Sequence, residues 1–585
     1  MCGIIGYIGS KKASEIILEG LKSLEYRGYD SAGIVTLGPD IRIQKNVGKM
    51  NQIDFNVNEL PGNIGIGHTR WATHGGVTKE NCHPHLSNNG KIAVVHNGII
   101  ENYQELKRKL EADGFVFHTD TDTEVIPNLI ELYMRDGDYL EAVKKAIRSL
   151  EGSYALGIVC EGKDGIIVAR KDSPLVIGVG DKEFFVASDV PAFIEHTKKV
   201  IYLHEGDVAI LDKGVRIFNL NEDKLVERPV HNIDWNVEQA KKGDFDHFML
   251  KEISEQAETI KRALENNVKE IKKVSEMINE ARGVYLIGCG SSYHACLSAS
   301  YKFSSLAKKH INVALASEFS NYKDFLIPES LVIAVSQSGE TADILEAVKA
   351  AKEKGAKVVS IVNVTGSSLT RESDELLMMH SGPEISVLST KTYTSQLVVL
   401  TLLAYATAGK YEEGKAKVRD LVNYIYYITS ANARNYIKIL AEKIKDSKHI
   451  YVIGRGLQYP TALEAALKIK EVSYIHAEGF AGGELKHGAI AMIEKGTPCI
   501  VFTSNSTEKE IVGNASELRA RGAYIIGIGP KNNDLFDFFI KVFEADEANS
   551  ICQIIPIQIL AYQLALLRGC DPDRPRNLAK SVTVK

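Results

Sequence analysis

Up to about Leu220 the chain sets short apolar, β-branched runs between glycines: Ile4–Ile8, Ile64–Gly67, Ile92–Val95, Ala155–Val159, Ile166–Val168, Phe184–Val186 and Val208–Leu211. Runs of this length, bounded by turn residues, predict strands. Two longer stretches, near Ala13–Leu24 and near Glu124–Leu150, carry the helical spacing instead. Many strands and few helices predict an α+β domain over residues 1–220. From Asn221 the pattern lapses into polar and charged residues without a sustained period, which predicts a linker over 221–247. After Phe248 apolar runs and amphipathic stretches alternate, as in a doubly wound α/β sheet.

That second half repeats itself. VYLIGCGSSY (Val284–Tyr293) recurs as IYVIGRGLQY (Ile450–Tyr459), LVIAVSQSGET (Leu331–Thr341) as PCIVFTSNSTE (Pro498–Glu508), and EKGAKVVSIV (Glu353–Val362) as RARGAYIIGIG (Arg519–Gly529). Three blocks in one order at one offset predict two homologous α/β domains. They occupy 248–425, with leading helices, and 426–574, followed by a tail over 575–585.

Length and composition narrow the class. At 585 residues the chain exceeds one core and fits about three or four domains. A net charge of -5 gives no electrostatic footprint for nucleic acid. The most apolar tract, Ile551–Leu567, holds Pro556 and three glutamines and is expected to fall short of a membrane span. The first ten residues carry no basic region, so a signal peptide is not expected. Eight cysteines lie scattered without a CxxC pair. They read as reduced thiols of a cytoplasmic protein, with no structural metal and no cofactor expected.

Cys2 opens the first strand, and a buried thiol is its plainest reading. Removal of Met1 would instead give one residue both a thiol and an α-amine. An α-amine titrates near about 7.7–8.0, so nucleophile and base would be one residue. Downstream stand YRGYDSAG (Tyr26–Gly33), HTRWATHG (His68–Gly75), HNGIIEN (His96–Asn102) and TDTEV (Thr121–Val125). With Cys2-Gly3-Ile4 they resemble the class II glutamine amidotransferase domain, an N-terminal nucleophile (Ntn) hydrolase sandwich.

The resemblance implies that Cys2 attacks the side-chain carbonyl of L-glutamine. Arg70 would fork onto the α-carboxylate and Asp122 hold the α-ammonium. Asn97 and the N–H of Gly98 would form the oxyanion hole. Trp71, Thr73 and His74 would lie on a closing loop, with Arg27 bracing the site and His96 behind it. His74, His83 and His85 invite a metal reading, but the HPH pair lacks a third ligand in spacing and is read as loop structure.

In the second half SQSGET (Ser336–Thr341) sits between an apolar run and the helix expected over Ala342–Lys354. Hydroxyls, an amide and a glycine at such a turn suit a phosphate, although a simple helix cap by Ser338 or Thr341 would look the same. GCGSSY offers Ser291 and Ser292 in the same setting, and the counterpart Thr503–Thr507 lacks the glycine. One sugar-phosphate site, built mainly by the first copy, is expected.

These blocks resemble the SIS (sugar isomerase) domain, present twice. With KEISEQ (Lys251–Gln256), STKTYTSQ (Ser389–Gln396), HAEGFAGGELKHG (His476–Gly488) and PRNLAKSVTVK (Pro575–Lys585), the whole chain resembles the glutamine–fructose-6-phosphate aminotransferase (isomerizing) family. That resemblance implies synthesis of D-glucosamine 6-phosphate from D-fructose 6-phosphate and glutamine, at the head of hexosamine and UDP-N-acetylglucosamine synthesis. Ser336, Gln337, Ser338 and Thr341 would hold the phosphate, with Ser291, Ser292, Val387 and Ser389 around the sugar. Lys580 would form an imine with the sugar, Glu471 shuttle the proton, Lys468 assist at the 1-hydroxyl and His487 open the ring. His487 would come from the neighbouring subunit of a homodimer.

The residues themselves say less. Pro460–Glu478 has helical spacing and puts Lys468 and Glu471 on one face, but Glu464, four before Lys468, makes a surface ion pair equally natural. Lys580 alone would be a frayed-tail lysine. Three positions depart from the family pattern: Leu388, Ala257 and Lys585. The competing readings are an amidotransferase with another phosphosugar acceptor, and a sugar-phosphate sensor with inactive SIS domains.

Overall fold

The computed structural model describes residues 2–135, 137–233, 239, 241–266 and 268–583. Met1, on whose removal the Cys2 reading depends, and Lys585 lie outside the described residues. The chain divides into two compact units.

The first unit, essentially residues up to Lys241, holds two antiparallel sheets. One runs Val230–Asn232, Lys199–Tyr202, Val176–Val179, Phe184–Ala187, Gly3–Ile8, Ile64–Arg70, Ser31–Leu37, Ile41–Val47; the other runs Lys224–Val226, Val215–Asn219, Asp207–Leu211, Ile166–Lys171, Gly152–Cys160, Ile92–Ile100, His85–Leu86. Alternation along Ile92–Val95 shows why they stack. Ala93 and Val95 pack between the sheets with Ile4, Ile66 and Val186. Ile92 and Val94 face the other way, onto helices Tyr103–Ala112, Val125–Met134 and Tyr139–Arg148. Helix Ala13–Leu24 covers the outer face of the first sheet through Ile17 and Leu21. Layers run helix, sheet, sheet, helix.

All seven predicted strands are present. The linker expected from Asn221 is corrected in part: Lys224–Val226 and Val230–Asn232 pair into the two sheets. Both are terminal strands with mostly exposed side chains, so no apolar period marks them. Residues 234–238 and 240 of that stretch lie outside the described residues.

The second unit contains two five-stranded parallel sheets of identical order. In the first, Gly283–Gly288 lies between Asn312–Leu315 and Ser330–Ser336, followed by Lys357–Val362 and Glu375–Met378. In the second, His449–Gly454 lies between His476–Ala481 and Pro498–Phe502, followed by Tyr524–Gly529 and Phe538–Lys541. The sequence repeat is thus a repeat of topology. Helix Tyr459–Ser473 ends before the expected Glu478 because His476–Ala481 is recruited as a strand.

One continuous apolar core joins the copies. Helix Asn549–Leu567 runs through it, nearly all of its residues buried. The expectation that this tract falls short of a membrane span is corrected on length and hydropathy: Asp546–Leu567 is long and apolar enough to cross one, and most of it is buried inside the protein. A helix apolar on all sides is also what a core helix requires.

Lys302 stands in the same interior, fully buried, its Nζ donating to Thr401 Oγ1 at 2.7 Å and Ser550 Oγ at 3.1 Å. Burial pushes its pKa from 10.5 down to about 7. The unfolded chain therefore binds this proton more tightly between those two values, and stability on this account rises with pH across that window. Lys302→Met is expected to stabilise by about a few kcal/mol at pH 7 and by less as pH approaches 10. Thermal melts at pH 7 and pH 9 check this; a lowered melting temperature at pH 7 would contradict it.

Candidate active sites

Cys2 lies at the mouth of the central strand Gly3–Ile8. Its Sγ accepts from the Trp71 N–H at 3.3 Å. Two side chains hold its carbonyl: Arg27 Nε donates at 3.3 Å and Asn97 Nδ2 at 2.9 Å. Arg27 is itself held 3.6 Å from Asp189, which also accepts from the Tyr26 hydroxyl at 2.5 Å.

Asn97 is fixed from both ends. Its Nδ2 donates to Ser188 Oγ at 2.8 Å, and its Oδ1 accepts from His68 Nε2 at 2.9 Å. His68 Nε2 also meets the His96 carbonyl at 3.0 Å, so this nitrogen carries the proton. Burial pushes the His68 pKa down to about 3, which keeps the ring neutral. Gly98 follows with φ +133°, where a Cβ would run into the Ser153 carbonyl oxygen. Only glycine fits there.

Arg70 is buried, and its guanidinium caps the loop carbonyls of His74, Gly75 and Gly76, the last two at 3.1 and 3.0 Å. Asp122 is buried too, its Oδ2 accepting from the Ile100 N–H at 2.7 Å. Thr73 is exposed, while Trp71 and His74 are half-buried, the His74 ring edge-on to Tyr103. His96 stands behind, its Nδ1 2.9 Å from Thr123 Oγ1. Burial holds its pKa below the usual histidine value, against the pull of Asp122. His83 stacks on His68 and accepts from the His96 N–H at 3.2 Å, and His85 Nε2 lies 3.2 Å from Thr121 Oγ1.

In the second unit Ser336 ends its strand, and its Oγ accepts from the Gly339 N–H at 3.0 Å. Gly339 has φ +66°, and a side chain there would strike Ser367 Oγ. Gln337 and Ser338 are half-buried on this turn, and Thr341 immediately precedes helix Ala342–Glu353. Ser292 accepts from Gln396 Nε2 at 3.1 Å, and Ser389 lies 2.8 Å from Thr392 Oγ1. Glu384 accepts from the Thr390 and Thr392 N–H groups at 2.9 and 3.1 Å, capping the helix beside Ser389. Val387 and Leu388 are buried next to it.

The corresponding turn of the second copy is closed by its own chain. Glu544 Oε2 accepts from the Asn505 N–H at 2.9 Å, the position that matches Ser338 in the repeat.

Helix Tyr459–Ser473 carries a buried charge cluster. Lys468 Nζ lies 2.7 Å from Glu471 and 3.4 Å from Glu464, and donates to Ser291 Oγ at 3.1 Å. Burial would push Lys468 down, but Glu464 and Glu471 hold it above the ordinary lysine value. Ser291, expected at the sugar, thus points its hydroxyl at Glu464, 2.8 Å away. His487 is exposed on the turn Leu485–His487, and no hydrogen bond or ion pair among the described residues ties its ring to this cluster. Lys580 is half-buried in the tail. From Ala579 onward the chain belongs to the first unit, as does Ala342, whose N–H donates to the Val582 carbonyl at 3.0 Å.

The SIS domain family matches residues 277–406 and 443–568, and the glutamine amidotransferase domain family residues 68–195. The glutamine–fructose-6-phosphate aminotransferase (isomerizing) of Pyrococcus horikoshii is 48% identical over 598 residues, covering 100% of both chains. This chain belongs to the glutamine–fructose-6-phosphate aminotransferase family. The enzyme of that name from Methanothermobacter thermautotrophicus is 46% identical, again over 100% of both chains. Among solved structures, the C-terminal domain of glucosamine-fructose-6-phosphate aminotransferase from Francisella tularensis superposes with a TM-score of 0.51 at 32% identity, covering 57% of this chain and 99% of that one.

Several groups around the two family sites escape sequence reasoning. Ser188 and His68 reach Asn97, and Asp189 reaches Arg27, only because residues distant in sequence are brought together by the two sheets. His294 and Glu384 have no motif signal either. Glu464, which reads as one half of a surface pair, is fully buried.

Proposed function

We propose that this chain transfers the amide nitrogen of L-glutamine to D-fructose 6-phosphate with isomerisation, giving D-glucosamine 6-phosphate and L-glutamate. The observation that carries the reading is full-length identity of 46–48% to enzymes of this name. The local geometry supports it: a thiol beside a fixed asparagine, and the Ser336–Gly339 turn within the unit that holds a buried Lys–Glu pair.

Cys2 attacks the glutamine carbonyl, its own amine taking the thiol proton. Asn97 and the Gly98 N–H receive the oxyanion. Arg70 and Asp122 take the two charges of the amino acid, Arg70 exchanging loop carbonyls for the carboxylate. Trp71, Thr73 and His74 close over it, Trp71 gating release, and Arg27 holds Cys2 from beneath. Ammonia loose in water would be protonated and diluted, so the chemistry requires a sealed route.

At the sugar, Ser336, Gln337, Ser338 and Thr341 bind phosphate through hydroxyls and helix N–H groups. Ser291, Ser292, Val387 and Ser389 line the hexose, and Lys580 forms the imine at C2. Glu471 moves the proton between C1 and C2, with Lys468 at the 1-hydroxyl. His487 opens the ring from a second subunit of a homodimer, which accords with its exposure here. Eight free cysteines support a cytoplasmic setting.

The test mixes glutamine with fructose 6-phosphate and follows glutamate and amino sugar together. Equimolar production is expected; glutamate without amino sugar would point to another acceptor. Lys580→Ala is expected to lower amino-sugar yield by about 10³-fold or more while glutamate release continues. Normal yield would remove the imine role.

A further inference from the structure

The charge cluster on helix Tyr459–Ser473 contains one more acid than this chemistry uses. Glu464 is 0% exposed, and its two oxygens have separate partners. Oε1 accepts from the Ser291 hydroxyl at 2.8 Å and lies 3.4 Å from Lys468 Nζ; Oε2 accepts from His294 Nδ1 at 2.7 Å. Ser291 and His294 belong to helix Ser291–Lys302 of the first copy, whereas Glu464, Lys468 and Glu471 belong to the second. The cluster is therefore complete only where the two copies pack. A carboxylate buried to this degree is strongly unfavourable unless something balances it.

Lys468 is shared between two acids, and the sharing has a chemical effect. With a single buried cation as its partner, a carboxylate becomes a weak base. A second carboxylate on the same cation offsets that pull. We infer that Glu464, oriented by His294, is a positioning residue that divides the charge of Lys468 and so leaves Glu471 basic enough to accept the substrate proton. This rests on the reading of Glu471 as proton shuttle.

The local electrostatics agree with the geometry. Burial pushes Glu471 above the usual carboxylate value, Lys468 pulls it back, and the charge of Glu464 adds to the rise. Burial also pushes Glu464 up, but Lys468, His294 and Ser291 together hold it below the usual value. Other elements packed on this helix add little. Helix Asn549–Leu567 carries no charged residue; strands His449–Gly454 and His476–Ala481 bring His449, His476 and Glu478, all exposed, and Tyr451. Helix Lys391–Thr407 contributes the buried Tyr393 hydroxyl near Glu464.

The experiment uses the full chain with glutamine and fructose 6-phosphate across pH 5.5–9. Glu464→Gln keeps the shape and removes the charge. Its kcat for amino-sugar formation is expected to fall about tenfold, with KM for fructose 6-phosphate within about threefold of wild type. The acid limb of its kcat profile is expected to move down by about one pH unit, because Glu471 alone then balances Lys468. His294→Asn, which offers an N–H near the place of Nδ1, should keep most activity, and His294→Leu should lose about tenfold with the same shift.

An unmoved pH profile, or a rise in KM alone, would overturn the inference. If Glu464→Gln fails to fold, the two His294 variants decide by the same readouts, and equal activities would overturn it. Wild type that makes no amino sugar overturns the parent reading and this one with it.

Discussion

Cys2→Ala is expected to lower glutamine-dependent amino-sugar formation by about 10⁴-fold or more, because it removes the thiol proposed above to carry the acyl group. The Trp71 N–H contacts the Cys2 Sγ at 3.3 Å, and Arg27 and Asn97 fix the Cys2 backbone. Fructose 6-phosphate affinity should stay within about twofold, since the phosphate turn lies in a sequence block of its own. Glutamate release measures the first effect and calorimetric titration the second. Retained glutaminase turnover would refute the nucleophile assignment. A preparation that keeps Met1 lacks the free amine and should be as silent as the alanine variant.

The next largest effect is expected at Gly98. With φ at +133° and the Ser153 carbonyl in the path of any Cβ, Gly98→Ala must rotate the peptide whose N–H is proposed above as an oxyanion donor. A lost oxyanion donor corresponds to about 10²–10³ in kcat. The same strain should destabilise the first unit by about 1–3 kcal/mol. The kcat for glutamine hydrolysis and the melting temperature are the readouts. A variant with normal turnover would show that this N–H is not part of the oxyanion site.

What could be read in advance follows from how each residue signals. Strands such as Ile64–Arg70 and Ile92–Ile100 are apolar runs, and buried sheets advertise themselves in that way. Ile41–Val47 pairs only at the sheet margin with half its residues polar, and Tyr103–Ala112 buries only Leu106 and Leu110. Each has a period, Ile41, Ile43 and Val47 on alternate places and Tyr103, Leu106 and Leu110 at i, i+3, i+7, but too few apolar residues to form a run. Motif residues were legible because five segments in order are specific to a family. Glu464 was not, since an i, i+4 acid and lysine have the same spacing on a wet surface and in a core. Its burial depends on a helix some 170 residues earlier, and local sequence does not encode that. The limits of helix Tyr459–Ser473 and of the 221–247 stretch failed for a related reason: in both, tertiary pairing turned polar residues into strands.

The Glu544 carboxylate on the Asn505 amide bears on how the duplicated half handles ligand. Because the carboxylate is tethered, its local concentration at that amide is fixed by the chain and unaffected by dilution. A free phosphate ester would have to displace a resident competitor there. Two copies of one topology thus differ at this turn by a single tethered carboxylate, and with the phosphate site proposed above in the first copy, titration with a sugar phosphate should saturate at one equivalent per chain.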